Sequence, residues 1–117
     1  MSNDTSDWRV EFFTPRGASH SPADFLLSIA GSDAALITRR LGIIGQLPAK
    51  DWPSAWIKRV AGLYQLRAGD YRAYLMIDER TIVVCHICRK VSRQARREDL
   101  DRAWANYEAY QRGQVER

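Results

Sequence analysis

Two arginines set face to face are the first chemical signal in this sequence. In the stretch Gly62-Leu63-Tyr64-Gln65-Leu66-Arg67-Ala68-Gly69-Asp70-Tyr71-Arg72-Ala73-Tyr74-Leu75-Met76-Ile77, residues alternate on either side of Gly69-Asp70. This predicts a β-hairpin, because a two-residue Gly/Asp turn suits the twist of antiparallel strands. Counting outward from the turn sets Ala68 against Tyr71 and Arg67 against Arg72. Tyr64, Leu66, Ala73 and Leu75 then share one face, the core face. Gln65, Arg67, Arg72 and Tyr74 share the other. Like charges directly opposite each other destabilise a sheet unless an anion lies across them. The anion that suits two planar, permanently charged guanidinium groups is a phosphate.

The charge distribution draws the eye to the same place. Residues 58–97 hold ten of the eighteen Lys and Arg but only three of the fourteen Asp and Glu, so this segment is +7 while the rest is −3. A net charge of +4 therefore hides a polarised molecule. Such polarity argues for an anionic partner, nucleic acid or an acidic protein, and says nothing about fold. A merely solvated basic face is the plainer alternative.

The two cysteines, Cys85 and Cys88, make a lone C-x-x-C inside a strand-like run. Redox pairs of this spacing sit at a helix N-terminus, and a zinc site takes about four ligands, whereas here only His86 is near. In a regular strand, residues three apart point to opposite faces. Buried structural thiols are the expectation, with no metal and no cofactor.

The elements that must position these groups can be read in order. A chain of 117 residues fits a single domain over 1–117, with 45% hydrophobic and 27% charged residues, as in ordinary globular proteins. The polar, acidic start over residues 1–7 is expected to be disordered. It lacks the basic and apolar segments of a signal peptide, and no run approaches the roughly 18 apolar residues of a membrane span. A cytoplasmic location follows as the expectation. Trp8 to Phe13 reads as a strand with Trp8, Val10 and Phe12 on one face, ended by Pro15-Arg16-Gly17. Ser21, Pro22 and Asp24 form a helix start, with Ser as N-cap, Pro in the first turn and an acid beside it. Gly31-Ser32-Asp33 breaks that helix and starts another, in which Leu36, Ile37, Leu41 and Ile44 recur at helical spacing. The two are expected to lie as a helical hairpin across the sheet. Trp52 and Trp56 sit in a connector, where they cap the core or, if exposed, stack on bases.

After the Arg67/Arg72 hairpin comes a third, continuously apolar strand, Thr81 to Cys88, expected in the sheet interior. A basic loop follows from Arg89 to Arg97. From Glu98 the pattern is helical, with Leu100, Ala103, Trp104 and Tyr107 on one face and acids in the first turn. The order is β-α-α-β-β-β-α, an α+β domain whose last three strands form an antiparallel meander.

These residues resemble the RelE/ParE superfamily of bacterial toxins, closest to the phage-derived HigB-like branch of type II toxin–antitoxin systems. The resemblance rests on Gly62-Leu63-Tyr64-Gln65-Leu66-Arg67, on Tyr71-Arg72, and on Ile82 to Cys88 followed by Arg89-Lys90 and a polar loop before the closing helix. It implies a small RelE-like microbial RNase fold that enters the ribosomal A site, cuts mRNA there, and is silenced by an antitoxin, often a HigA-like protein with a helix-turn-helix domain. Metal-free cleavage of RNA has the 2′-hydroxyl attack the neighbouring phosphorus, so the protein must neutralise charge on phosphate oxygens. On that reading Arg67 and Arg72 take the scissile phosphate, while Lys90, Arg89 and Lys58 take flanking phosphates or the leaving oxygen.

Proton transfer points to several groups. His86 has a suitable unperturbed pKa, although a histidine in so apolar a strand is ordinarily a satisfied core residue. Tyr71 and Tyr74 are phenols that can donate a hydrogen bond or stack on a base. The expected catalytic set is thus Arg67, Arg72, Lys90 and His86. The expected RNA-contacting set is Lys58, Arg59, Tyr71, Tyr74, Arg89 and Arg93. Three positions depart from the family pattern: Gln65 stands for an acid, Ile87 for an aromatic and Arg89 for a lysine. Two other readings remain open, a ParE-like poison of DNA gyrase without nuclease activity and a non-catalytic nucleic-acid-binding protein of phage origin.

Overall fold

Residues 7–13 and 21–115 are described by the computed structural model. The expected disorder of residues 1–7, Asp7 apart, and the expected Pro15-Arg16-Gly17 turn lie outside the described residues. The elements are β1 (Arg9–Phe12), α1 (Pro22–Ser28), α2 (Gly31–Ile44), a 3-10 turn (Ala49–Asp51), β2 (Ile57–Val60), β3 (Leu63–Ala68), β4 (Tyr71–Asp78), β5 (Thr81–Arg89) and α3 (Arg97–Val115). The strands form one five-stranded sheet in the order β1-β5-β4-β3-β2. β1 runs parallel to β5, and every other pair is antiparallel. The fold is therefore α+β, with a mixed sheet and, among the described residues, three helices.

One strand more is present than the β-α-α-β-β-β-α order allows. Ile57–Val60, which that order leaves outside any element, is β2 and pairs with β3. Its two apolar residues, Ile57 and Val60, are three apart and so break the alternation that marks a strand. A two-residue turn recovers it: Ala61 and Gly62 both take positive φ, 51° and 84°. That is the combination a tight hairpin with the native strand twist needs.

Helix α1 starts as its residues dictate, with the Ser21 hydroxyl accepting the Asp24 N–H at 3.0 Å. A cap of this kind is worth about 1 kcal/mol. Ile37, Leu41 and Ile44 of α2 are buried against Leu66, Ala73, Leu75, Ile82 and Val84 on one face of the sheet. On the opposite face Ala103, Tyr107 and Tyr110 of α3 pack on Leu63, Tyr74, Val83 and Cys85. β5 is thus covered on both faces, which is why its sequence is continuously apolar. Trp52 belongs to the core: its indole N–H is shared between the carbonyls of Ile44 (2.9 Å) and Leu47 (3.0 Å), at the C-terminal end of α2. Trp56 is half-buried beneath the Arg40 guanidinium, 4.7 Å from the ring centre. No helix among the described residues is long and apolar enough to cross a membrane.

Candidate functional site

The hairpin register is the one the turn implies, Ala68 against Tyr71 and Arg67 against Arg72. Extending it across the sheet gives two rows on the α3 side. One runs Lys58, Gln65, Tyr74, His86, and the next runs Arg67, Arg72, Cys88. An open hollow of about 410 Å³ lies over these rows, walled by the Arg89–Arg96 loop and by Asp99 and Leu100 of α3. The loop is tied to the hairpin by the Lys90 N–H, which donates to the Asp70 carbonyl at 2.6 Å. Lys58, Arg67, Arg72, Arg89, Lys90 and Arg93 all border this hollow. Among the described residues, neither Arg67 nor Arg72 has a carboxylate partner.

The two arginines are not equivalent. Arg67 is exposed. Arg72 is only 7% exposed, and its Nη1 donates to the carbonyls of Gly69 (2.9 Å) and Tyr71 (2.8 Å). Burial first, and the Arg67 charge second, pull its pKa below the ordinary value, yet a guanidinium keeps its proton in such surroundings. Both arginines occupy the face the turn implies, but Arg72 is not open to solvent there, because its side chain folds back onto the turn that carries it.

Gln65 and Tyr74 make the floor of the hollow. Both are buried, and the Gln65 amide donates to the Tyr74 hydroxyl at 3.0 Å. Burial pushes the Tyr74 phenol above its ordinary pKa, against the pull of the Gln65 hydrogen bond, so it is a neutral phenol at physiological pH.

His86 does not join this group. Its Nε2 lies 2.8 Å from Asp99 Oδ1, and its ring stacks on Tyr74 with centroids 6.4 Å apart. It borders a second hollow, of about 390 Å³, shared with Ser21, Pro22 and Phe25 near α1 and with Arg102 and Asn106 of α3. Cys88, Arg96 and Asp99, with Arg89 and Val91 of the loop, form the wall common to both hollows. Burial raises the Asp99 carboxyl, but hydrogen bonds from His86 and Arg96 outweigh it and hold the pKa below the ordinary range. Burial, reinforced by Asp99, pushes the Cys88 thiol up to about 12.

Two of the expected RNA contacts lie on the opposite face of the sheet. Arg59 covers the Tyr64 ring at 4.1 Å and donates to the Gly62 carbonyl at 2.8 Å. Tyr71 packs edge-on against Phe25, 5.9 Å between centroids. Arg59 follows Lys58 in a strand and so must point the other way. The expected opposition of Cys85 and Cys88 is also overturned. Tyr74 pairs with His86 but Leu75 with Val84, so a bulge at Cys85 resets the parity. Both thiols then join the cluster under α3. Asp99 escaped the sequence reading because an acid in a first helical turn is explained by the helix dipole alone, and Arg96 was read only as one of several bases in its loop.

Comparison of the chain with protein-family models, and with curated proteins, found no match.

Proposed function

We propose that this protein is the toxin of a type II toxin–antitoxin pair, a RelE/HigB-like endoribonuclease that cuts mRNA in the ribosomal A site through its Arg/Lys-lined hollow. One observation carries the reading: Arg67 and Arg72 stand directly opposite each other beside Lys58 and Lys90, with no carboxylate partner for either arginine among the described residues. A fold tolerates that repulsion readily when an anion neutralises it, and an RNA phosphate fits the donors and the open shape.

In the reaction, the RNA 2′-hydroxyl oxygen bonds to the adjacent phosphorus as the bond to the 5′-oxygen breaks, leaving a cyclic phosphate and a 5′-hydroxyl. The 2′-hydroxyl proton departs and the 5′-oxygen gains one. Exposed Arg67 reaches the nonbridging oxygens. Arg72, fixed by the turn carbonyls, adds a charge that needs no reorganisation. Lys58 and Lys90 hold flanking phosphates or the leaving oxygen, and the Tyr74 phenol offers a neutral donor. A HigA-like antitoxin would silence the protein by covering this face with acidic residues or by bulk that keeps it out of the A site.

The test is primer-extension mapping of mRNA 5′ ends in an actively translating lysate. Cuts that appear with the wild-type protein and vanish with Arg67→Ala support the assignment. An mRNA left intact by the folded wild-type protein rejects it. A second reading, a nucleic-acid-binding protein without catalysis, is favoured by the position of His86 behind the Cys88–Asp99 wall and by Gln65 where the family carries an acid. Tight, salt-sensitive RNA binding without cleavage would select it.

A further inference from the structure

The wall between the two hollows has the makings of a metal site. Because the β5 bulge turns Cys85 out of the pairing, His86 and Cys88 reach the α3 side of the sheet together, where Asp99 meets them from the first turn of α3. One ligand atom from each of the three, an imidazole nitrogen, a thiol sulfur and a carboxylate oxygen, lies within 4.8 Å of the others. We propose that His86, Cys88 and Asp99 bind a zinc ion, or a transition-metal ion of similar softness, with solvent as the fourth ligand.

The donor set selects the metal. Sulfur and imidazole suit zinc, whereas calcium and magnesium take oxygen ligands. Bonds of about 2.0–2.3 Å in a tetrahedron place ligand atoms about 3.3–3.6 Å apart. The present Nε2 to Oδ1 distance of 2.8 Å therefore opens only slightly when an ion enters.

Outer contacts already hold the ligands in place. Arg96 Nε donates to the second Asp99 oxygen at 3.0 Å, and the Tyr74 ring lies nearly parallel to the imidazole, 16° between planes. Such partners orient metal ligands and tune affinity. Cys88 and Asp99 are each 8% exposed. A thiolate and a carboxylate together neutralise a dication, which allows it to sit near Arg72 and Arg96. On binding, the Cys88 thiol proton leaves to solvent, and a proton on His86 Nε2 passes to Nδ1 or to solvent, which frees Nε2 for the ion. The ion would cross-link β5 to α3 and is independent of the phosphate chemistry proposed above. The expectation of no metal site rested on the ligands near the cysteines in sequence, His86 alone, a count that leaves out Asp99 because α3 brings it there only in the folded chain.

The experiment is titration of the chelator-dialysed full chain with zinc chloride, by calorimetry, and with cobalt chloride, by absorption. One equivalent is expected to bind, and the cobalt form should show a thiolate-to-cobalt band in the near ultraviolet. Cys85→Ala should keep this band and Cys88→Ala should abolish it. Asp99→Asn, which preserves shape, should weaken zinc by more than the roughly 10–100-fold that loss of an outer-shell partner costs. Thermal melting verifies that each variant is folded. Absence of stoichiometric uptake by the wild-type chain, or uptake unchanged in folded Cys88→Ala, overturns the proposal.

Discussion

Arg67 and Arg72 face each other across the β3–β4 ladder, yet only Arg72 is buried, its Nη1 bridging the carbonyls of Gly69 and Tyr71 at 2.9 and 2.8 Å. The pair therefore divides into a fixed charge and a free one.

Replacing the free charge, Arg67→Ala, removes like-charge repulsion and should leave stability unchanged or raised by about 0.2–1 kcal/mol. Cleavage in a translating lysate should fall by about 10²–10³-fold, the usual loss for one transition-state charge stabiliser. Arg72→Ala should behave differently. Loss of its contacts to the turn should cost about 1–2 kcal/mol, so its activity must be compared at a temperature where melting curves show it folded. A destabilised Arg67→Ala would contradict the division between the two.

Salt dependence separates the two faces of the sheet. Each phosphate contact to single-stranded RNA adds about 0.7 to the slope of log affinity against log salt. Lys58→Gln should lower that slope by about one such step, since Lys58 borders the hollow. Arg59→Gln should leave it unchanged, because Arg59 lies over Tyr64 on the other side. Equal effects from the two, measured by fluorescence anisotropy over a salt series, would place the RNA elsewhere.

Cys85 is fully buried, and burial pushes its thiol up to about 12. At pH 8 only about one thiol in 10⁴ is then thiolate, the reactive form. Iodoacetamide should label Cys85 rapidly in denaturant and barely at all in the native protein, with the native rate rising about tenfold per pH unit above 8 if labelling occurs without unfolding. Fast native labelling at pH 8, read by mass spectrometry, would contradict the packing under α3.

Gly62 ties the β2–β3 turn to α3. Its φ is +84°, and a Cβ there would lie 2.9 Å from Trp104 Cζ2. The Trp104 indole N–H donates to the neighbouring Ala61 carbonyl at 2.9 Å. Gly62→Ala should cost roughly 1–3 kcal/mol from backbone strain alone, with the steric contact adding to it. Urea unfolding with an unshifted midpoint would show that this turn does not constrain α3.

Local patterns carried a large part of the outcome. The Gly69-Asp70 turn set the register of Arg67 against Arg72 because a two-residue hairpin permits only one pairing. Ser21-Pro22 started α1, and the spacing of Ile37, Leu41 and Ile44 oriented α2, because capping and helical period are properties of neighbouring residues. β2 escaped notice since its pairing depends on β3, not on its own alternation. Arg72 was placed correctly by parity, but parity does not say that a long side chain will fold back onto its turn. The position of His86 needed the most distant information. A single skipped residue at Cys85 reverses the parity of everything after it, and a bulge is chosen by how β4 and β5 pack, with no residue-type signature in the strand. Asp99 then reaches His86 only because α3 crosses the sheet at that point, a contact between residues thirteen apart in sequence that exists only once the helix has docked.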